Sequence, residues 1–365
     1  MSEQTKIAWC DSTVNFWSGC TKVSAGCAHC YAETRDKRHM IEKIDHWGKG
    51  APRLKHTGAI KQARALNRKP WICDGCGRAF ANENTPHDAP ILADDGKTVV
   101  GYHHRYSHLV TYHRRRIFSL SLGDWLDAAV PIVWLAEMLD TLHRCDQVQW
   151  ILCTKRPQLW RDRMNAVLDM PTHHDAAGVN SVSKQLAGWI CDWLAGKAPN
   201  QILLLTSVEN QGAADERIPA LLKIPAAARG LSLEPLLGPV NLSTVNLNPS
   251  TLHWLILGGE SGPGARVCSL DWLADLIRQG TAAGVPVFVK QLGANPFCEN
   301  ANVYDWPENV ELEPAGTAFA ACRPLCADPK GGNMNEWPDE FRVQNYPKVT
   351  SAPDAPDERP AKTNA

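Results

Sequence analysis

Val148-Gln-Trp-Ile-Leu-Cys153 is a short apolar run that halts at Thr154-Lys-Arg-Pro157, after which the pattern turns helical through Leu168. The same unit recurs along the chain. Ile117-Phe-Ser-Leu-Ser-Leu122 stops at Gly123-Asp124, and Gln201-Ile-Leu-Leu-Leu-Thr-Ser207 stops at Val208-Glu-Asn210. Gly230-Leu-Ser-Leu233 gives way to Glu234-Pro235, His253-Trp-Leu-Ile-Leu257 to Gly258-Gly-Glu-Ser261, and Val285-Pro-Val-Phe-Val289 to Lys290-Gln291. Helical stretches lie between them, at 133–143, 157–168, 184–193, 214–223 and 271–283. Short apolar strands alternating with helices predict a parallel sheet of βα units. With Thr13-Val-Asn-Phe16 the strands number about seven, which predicts an α/β fold, a parallel βα barrel of TIM-like type, partial or full.

In such a barrel the reactive groups gather at the C-terminal ends of the strands. Those ends carry Asp124, Lys155, Arg156, Glu209, Glu234, Glu260 and Lys290. Charges placed directly after apolar strands are costly unless paired or bound to a ligand. A ring of mutual salt bridges and a functional mouth are the two readings, and catalytic roles are expected for Asp124, Lys155, Arg156, Glu209, Glu234 and Lys290. In Gly258-Gly-Glu-Ser-Gly-Pro-Gly-Ala-Arg266, Gly258 and Gly259 allow close backbone approach to a ligand. Glu260 can accept hydrogen bonds from an amine or ribose, and Arg266 can pair with a carboxylate or phosphate.

Cys20, Cys27 and Cys30 lie in one short loop, Trp17-Ser-Gly-Cys-Thr-Lys-Val-Ser-Ala-Gly-Cys-Ala-His-Cys-Tyr31, after the first strand. Three thiolates suit a [4Fe-4S] cluster with one iron left open to a cofactor or substrate. A structural zinc is the competing reading, with Cys10 or His29 nearest as a fourth ligand. A second metal-like feature is Cys73-Asp-Gly-Cys76, which with His104 and His108 would complete a tetrahedral zinc site, His87 being a rival ligand.

The 365-residue chain is 44% hydrophobic and 21% charged, enough to bury a full core, and its formal charge of -1 gives no global pull toward nucleic acid or membrane. Charge is uneven locally, with eleven Lys/Arg against four Asp/Glu between Tyr31 and Pro70. Together with Arg105 and Arg114-Arg-Arg116, that stretch offers phosphate contacts or a solvated face. No apolar leader or membrane span is evident, and thirteen cysteines without a secretory signal predict a cytoplasmic, reducing location. The expected organisation is a barrel start with the cysteine loop at 1–46, a Cys/His-rich insertion at 47–110 and the rest of the barrel at 111–293. An irregular extension follows at 294–350, with a disordered tail at 351–365.

Several of these segments together resemble a known family. Lys6-Ile-Ala-Trp-Cys-Asp-Ser-Thr13, Gly19 to Glu33, Ser119-Leu-Ser-Leu-Gly-Asp124, Leu152-Cys-Thr-Lys-Arg-Pro157 and Ser207-Val-Glu-Asn210 look like the three-cysteine-motif proteins of bacteriophages and prophages. So do Ser232-Leu-Glu-Pro-Leu-Leu-Gly-Pro239, Gly258 to Arg266, Val289-Lys-Gln291, Asp328-Pro-Lys-Gly-Gly332 and Glu336-Trp-Pro338. That family, of unknown function, is similar to radical S-adenosylmethionine enzymes. The resemblance implies that Cys20, Cys27 and Cys30 hold three irons and that the open iron chelates S-adenosylmethionine. It further implies that His29 lies near the adenine, that an external electron donor is required and, from the phage context, that a nucleic acid or nucleotide is the expected substrate. Two departures stand out: six residues separate Cys20 from Cys27 where the superfamily has three, and the Gly-Gly-Glu motif follows about the sixth strand instead of the second. Asp124 is the alternative for the amine-binding role. The rival classes are a divalent-metal hydrolase or nuclease using Asp124, Glu209, Glu234 and Glu260, and a zinc-containing nucleic-acid-binding protein without catalysis.

Overall fold

The computed structural model describes residues 5–39, 44–74, 77–82, 89–92, 99–103, 111–173, 181–245, 247–315 and 321–347. Seven strands form one sheet: β1 (Ser12–Val14), β2 (Arg116–Ser119), β3 (Gln149–Thr154), β4 (Ile202–Ser207), β5 (Ala228–Leu233), β6 (Trp254–Gly258) and β7 (Val287–Gln291). Their order in the sheet is their order in the chain, and every pairing is parallel. Each expected strand is present within a few residues of its expected bounds. Successive parallel neighbours joined by helices curl the sheet into a half-barrel, and β1 and β7 are left as its edges.

The pleat divides the strands between two cores. Ile117, Trp150, Leu152, Leu204, Leu231, Leu255, Leu257, Val287 and Val289 pack into a large outer core with the helices. Those helices are α1 (Tyr31–His39), α2 (Ala59–Asn67), α3 (Ile132–Arg144), α4 (Trp160–Leu168), α5 (Lys184–Leu194), α6 (Gln211–Leu222) and α7 (Leu270–Ala282). All except α1 bury side chains in the outer core. The alternate residues Ile151, Leu203, Leu205, Ala228, Trp254, Ile256 and Phe288 make a smaller core on the other face, plugged by Trp9 and Cys10. Strictly alternating sides follow from the two-residue period of a strand. Toward the C-terminal end of the sheet that inner face opens: Phe118 and Cys153 are only partly buried there.

The crossover from β1 to β2 departs from the expected organisation. Helix α2 falls inside the stretch expected to be an insertion, yet it buries Ala59, Ala63 and Leu66 in the outer core and packs on β1 and α3. Its apolar stripe is only three residues wide, two of them alanine, so its periodicity is faint in the sequence. Helix α1 buries only Ala32 and sits at the mouth instead.

The free edge of β7 is covered from the C-terminal side. Val289 donates to the Val343 carbonyl at 2.8 Å and Asn345 to that of Val287 at 2.9 Å, an antiparallel pairing outside the main sheet. The Tyr346 hydroxyl then reaches the Ala8 carbonyl at 3.0 Å, and the Arg116 guanidinium lies 3.8 Å over the Tyr346 ring. The chain thus bridges the gap between β7 and the segment leading into β1. Cys298 and Cys322 face each other across two backbone hydrogen bonds, Cα atoms 5.5 Å apart, and are joined as a disulfide. Thiols alone were expected, and the pairing follows from that cross-strand register. No helix among the described residues is long and apolar enough to cross a membrane.

Candidate functional site: a cysteine loop clamped on the barrel mouth

The loop carrying Cys20, Cys27 and Cys30 lies across the C-terminal ends of the strands, held there by four buried carboxylates that each bind an arginine. Asp124, beyond β2, accepts from Leu126 N, Thr154 Oγ1, Lys155 N and Arg156 Nη1 at 2.7–2.9 Å. Arg156 in turn donates to the Thr21 carbonyl and places Nη1 and Nη2 at 3.6 and 3.5 Å from Cys20 Sγ. Asp127 accepts from Thr21 N at 3.1 Å and from Arg53 Nη2 at 2.7 Å, while Arg53 also donates to Thr21 Oγ1 at 2.6 Å. Thr21 is therefore gripped at its amide, carbonyl and hydroxyl.

Farther along the loop, Glu209 after β4 pairs with Arg217 of α6 at 2.8 Å and accepts from the Ser24 hydroxyl. A Cβ at Gly26 would stand 3.1 Å from the Glu209 carboxyl carbon, so the turn presses closely on that carboxylate and a side chain there would have to push it aside by a few tenths of an ångström. Glu260 after β6 accepts from Arg266 N, Nε and Nη2 at 2.9, 3.0 and 2.5 Å, and lies 3.0 Å from His29 Nδ1. Arg266 Nη1 continues to the Ala25 carbonyl at 2.8 Å. Tyr31 closes the loop by donating from its hydroxyl to the Ser121 carbonyl at 2.7 Å.

The seven charged strand-end residues of the sequence reading thus share one mouth with the cysteines. Their carboxylates are engaged: Asp124 with Arg156, Glu209 with Arg217, Glu234 with Lys290 and Glu260 with Arg266. Lys155 differs, because among the described residues its ammonium has no ion-pair or hydrogen-bond partner. Its charge acts on Cys30, Cys153 and Glu209, which places it on the inner side of the mouth. Gly259 serves packing, since a Cβ there would collide with the Leu292 carbonyl and the Cys268 side chain. Arg53, Asp127, Arg217, Ser24, Thr21 and Tyr31 were not singled out in the sequence. Arg217 alone left a trace there, as a charge on the α6 face that buries Ala213, Ala214, Ile218 and Leu221.

Residues 4–313 match a family described as protein of unknown function, DUF5131, and that span contains the cysteine loop and all seven strands. The chain belongs to the DUF5131 family. No curated protein and no solved structure matches it. The part of this DUF5131 chain that covers β7, Val343–Asn345, lies beyond the family match.

Burial, reinforced by Asp124, pushes the Cys20 thiol up to about 12 against the opposing pull of Arg156. Burial likewise raises Cys30. Burial also acts to raise Glu260, but the hydrogen bonds and charge of Arg266, with His29, outweigh it and hold the carboxyl down at about 2. A carboxylate with a depressed folded-state pKa stabilises the fold above its unfolded value near 4.5, and that contribution disappears as pH falls toward about 2. Glu260→Gln is therefore expected to flatten the loss of stability between pH 4.5 and 2, measured by denaturant unfolding. Equal slopes for both proteins would contradict the clamp.

Among the described residues no three His, Cys, Asp or Glu side chains are grouped to hold a single metal ion. A cluster differs in this respect, since each thiolate binds its own iron. Of the second expected site, Cys73 is buried at the end of a short strand, Trp71–Cys73, whose knuckle closes through Gly77 N to the Cys73 carbonyl at 2.8 Å. Cys76, His104 and His108, with the rival His87, lie outside the described residues.

Proposed function

We propose that DUF5131 proteins of this kind are iron-sulfur enzymes of radical S-adenosylmethionine type, working at the mouth of the half-barrel. The observation that carries this reading is the clamping of a three-cysteine loop onto the C-terminal ends of a curled parallel sheet. The donor set suits the cluster. The three ligands are soft thiols, and Arg156 at Cys20 and Lys155 at Cys30 pull against the burial that raises both thiols. Cys20, Cys27 and Cys30 would hold the cluster, which when bound supplies single electrons for cleaving the sulfonium cofactor.

The surrounding residues then have positioning roles. Asp124 aims Arg156 at Cys20, Glu209 supports the turn at Gly26, and Glu260 fixes His29 and ties Arg266 to Ala25. Glu260 is fully occupied in that task, so binding of a ligand amine falls to another group. His29 remains 48% exposed, able to offer its ring face to a purine. Lys155, unpaired on the inner side, is the candidate contact for an anionic group of cofactor or substrate. The hydrolase reading needs Asp124, Glu209, Glu234 and Glu260 as free oxygen ligands, and each of them is bound to an arginine or lysine. An external electron donor, in a phage or prophage context, completes this reading, while the Cys298–Cys322 disulfide runs against a uniformly reducing setting.

The test is anaerobic incubation of reconstituted protein with S-adenosylmethionine and a strong reductant. Release of methionine and 5′-deoxyadenosine is expected. A cluster-loaded protein that yields neither product overturns the reading, as does hydrolysis of phosphodiesters in air with magnesium or manganese alone.

A further inference from the structure

Helix α1 leads away from Cys30, and its two long faces differ in what their charges do. On the inner side Ala32 is 3% exposed, Glu33 pairs with Lys22 at 2.8 Å and Lys37 at 2.7 Å, and Asp36 accepts from His46 and Trp47 at 3.0 and 2.9 Å. The outer side presents Tyr31, Arg35 and Arg38, spaced four and three residues apart and therefore in one line. Tyr31 is 50% exposed with its hydroxyl tethered to Ser121, so a fixed aromatic face stands beside Cys30. Arg35 and Arg38 are exposed and, among the described residues, make no ion pair or hydrogen bond.

Two more cations flank the cysteine loop, apart from the α1 line. Lys49, exposed and likewise unpaired among the described residues, follows Gly48, whose amide donates to the Cys20 carbonyl at 2.9 Å. Lys155 lies inside the mouth. Of the carboxylates of the same region, Asp124, Asp127, Glu209, Glu234, Glu260 and Glu33 each pair with an arginine or lysine, and Asp36 accepts from the His46 and Trp47 rings on the inner side of α1. A chain of net charge -1 thus concentrates unbalanced positive charge at the rim of its candidate site.

We propose that α1 and the loop around Lys49 form a docking edge for single-stranded nucleic acid, with backbone phosphates on Arg35, Arg38 and Lys49 and an unpaired base stacked on Tyr31. Rigid aromatic faces flanked by cations bind single strands without reading sequence, whereas a duplex hides its base faces in the stack. The docked strand leads toward Lys155 and the cysteine loop. This inference names the substrate class for the mouth and rests on its reading as the functional site, but binding at the edge needs no cluster.

The experiment measures fluorescence anisotropy of labelled single-stranded DNA and RNA oligonucleotides of about twelve nucleotides with the full chain, over a series of salt concentrations. Binding is expected to weaken with salt with a log–log slope near -2, three phosphate contacts at about 0.7 each. R35A/R38A should weaken binding at least tenfold at low salt and flatten the slope by about 1.4. Y31A should weaken binding at least fivefold with the slope unchanged, a split that general adsorption of a polyanion does not produce. The proposal is overturned by absence of binding, by an unchanged slope in R35A/R38A, by unchanged affinity in Y31A, or by duplex binding as tight as that of the single strand. C20A/C27A/C30A separates the two readings. A variant that melts like the parent protein should bind the strand normally even if no cluster ever forms, and loss of binding there counts against the docking edge.

Discussion

Alanine at Cys20, Cys27 or Cys30 is expected to abolish cluster assembly, taking bound iron from about four atoms per chain to near zero. The visible absorbance of the reconstituted protein should vanish with it. Each thiolate would hold a different iron, so losing any one leaves two protein ligands on a cluster that already lacks a fourth. The controls lie elsewhere in the fold. Cys73→Ala, at the short strand Trp71–Cys73, and Cys191→Ala, on the exposed side of α5, should leave iron content unchanged. Equal iron in the Cys27→Ala and parent proteins would remove the loop from the site.

Arg53→Met is expected to destabilise the protein by about 3–5 kcal/mol, the range for breaking one side of a buried ion pair. Arg53 is completely buried and Asp127 3% exposed. Beyond Asp127, the guanidinium satisfies the carbonyls of His46 and Ala51 and the hydroxyl of Thr21. Methionine keeps the bulk of the stem but strands the buried Asp127 carboxylate and the His46 carbonyl away from water. Removing both charges together, as Arg53→Met/Asp127→Leu, should recover part of the loss, because the buried carboxylate then disappears. Denaturant unfolding reads both effects, and a loss below about 1 kcal/mol for the single variant would place the pair outside the clamp. Since Thr21 adjoins Cys20, the same variant should also assemble its cluster less completely.

How far the sequence foretold this arrangement differs between the sheet and the site. The strands were legible because a buried parallel strand is an unbroken apolar run, and each run ends at a polar stop; Gln201 to Ser207 differs from β4 by one residue. The position of the cysteine loop at the mouth was legible too, because it directly follows the first strand. Helix α2 was not, its stripe of Ala59, Ala63 and Leu66 being too small to stand out. The clamps were hidden for another reason, since they join residues far apart: Arg266 meets Ala25 across 241 positions and Arg156 meets Cys20 across 136.

Glu260 shows what a local motif leaves out. Its Gly-Gly-Glu context suggests a ligand contact, but Gly262 and Gly264 adopt left-handed backbone angles, φ +99° and +72°, in the turn that brings Arg266 back onto the carboxylate. The partner was six residues away and visible, yet nothing in the sequence told which way the turn would fold.

The most direct measurement of the central claim is iron and acid-labile sulfide per chain after anaerobic reconstitution, with electron paramagnetic resonance of the reduced sample. About four of each, with a cluster signal that changes on adding S-adenosylmethionine, is the result this account predicts. Zinc alone, or no metal at all, in a folded protein with its three cysteines intact would contradict it.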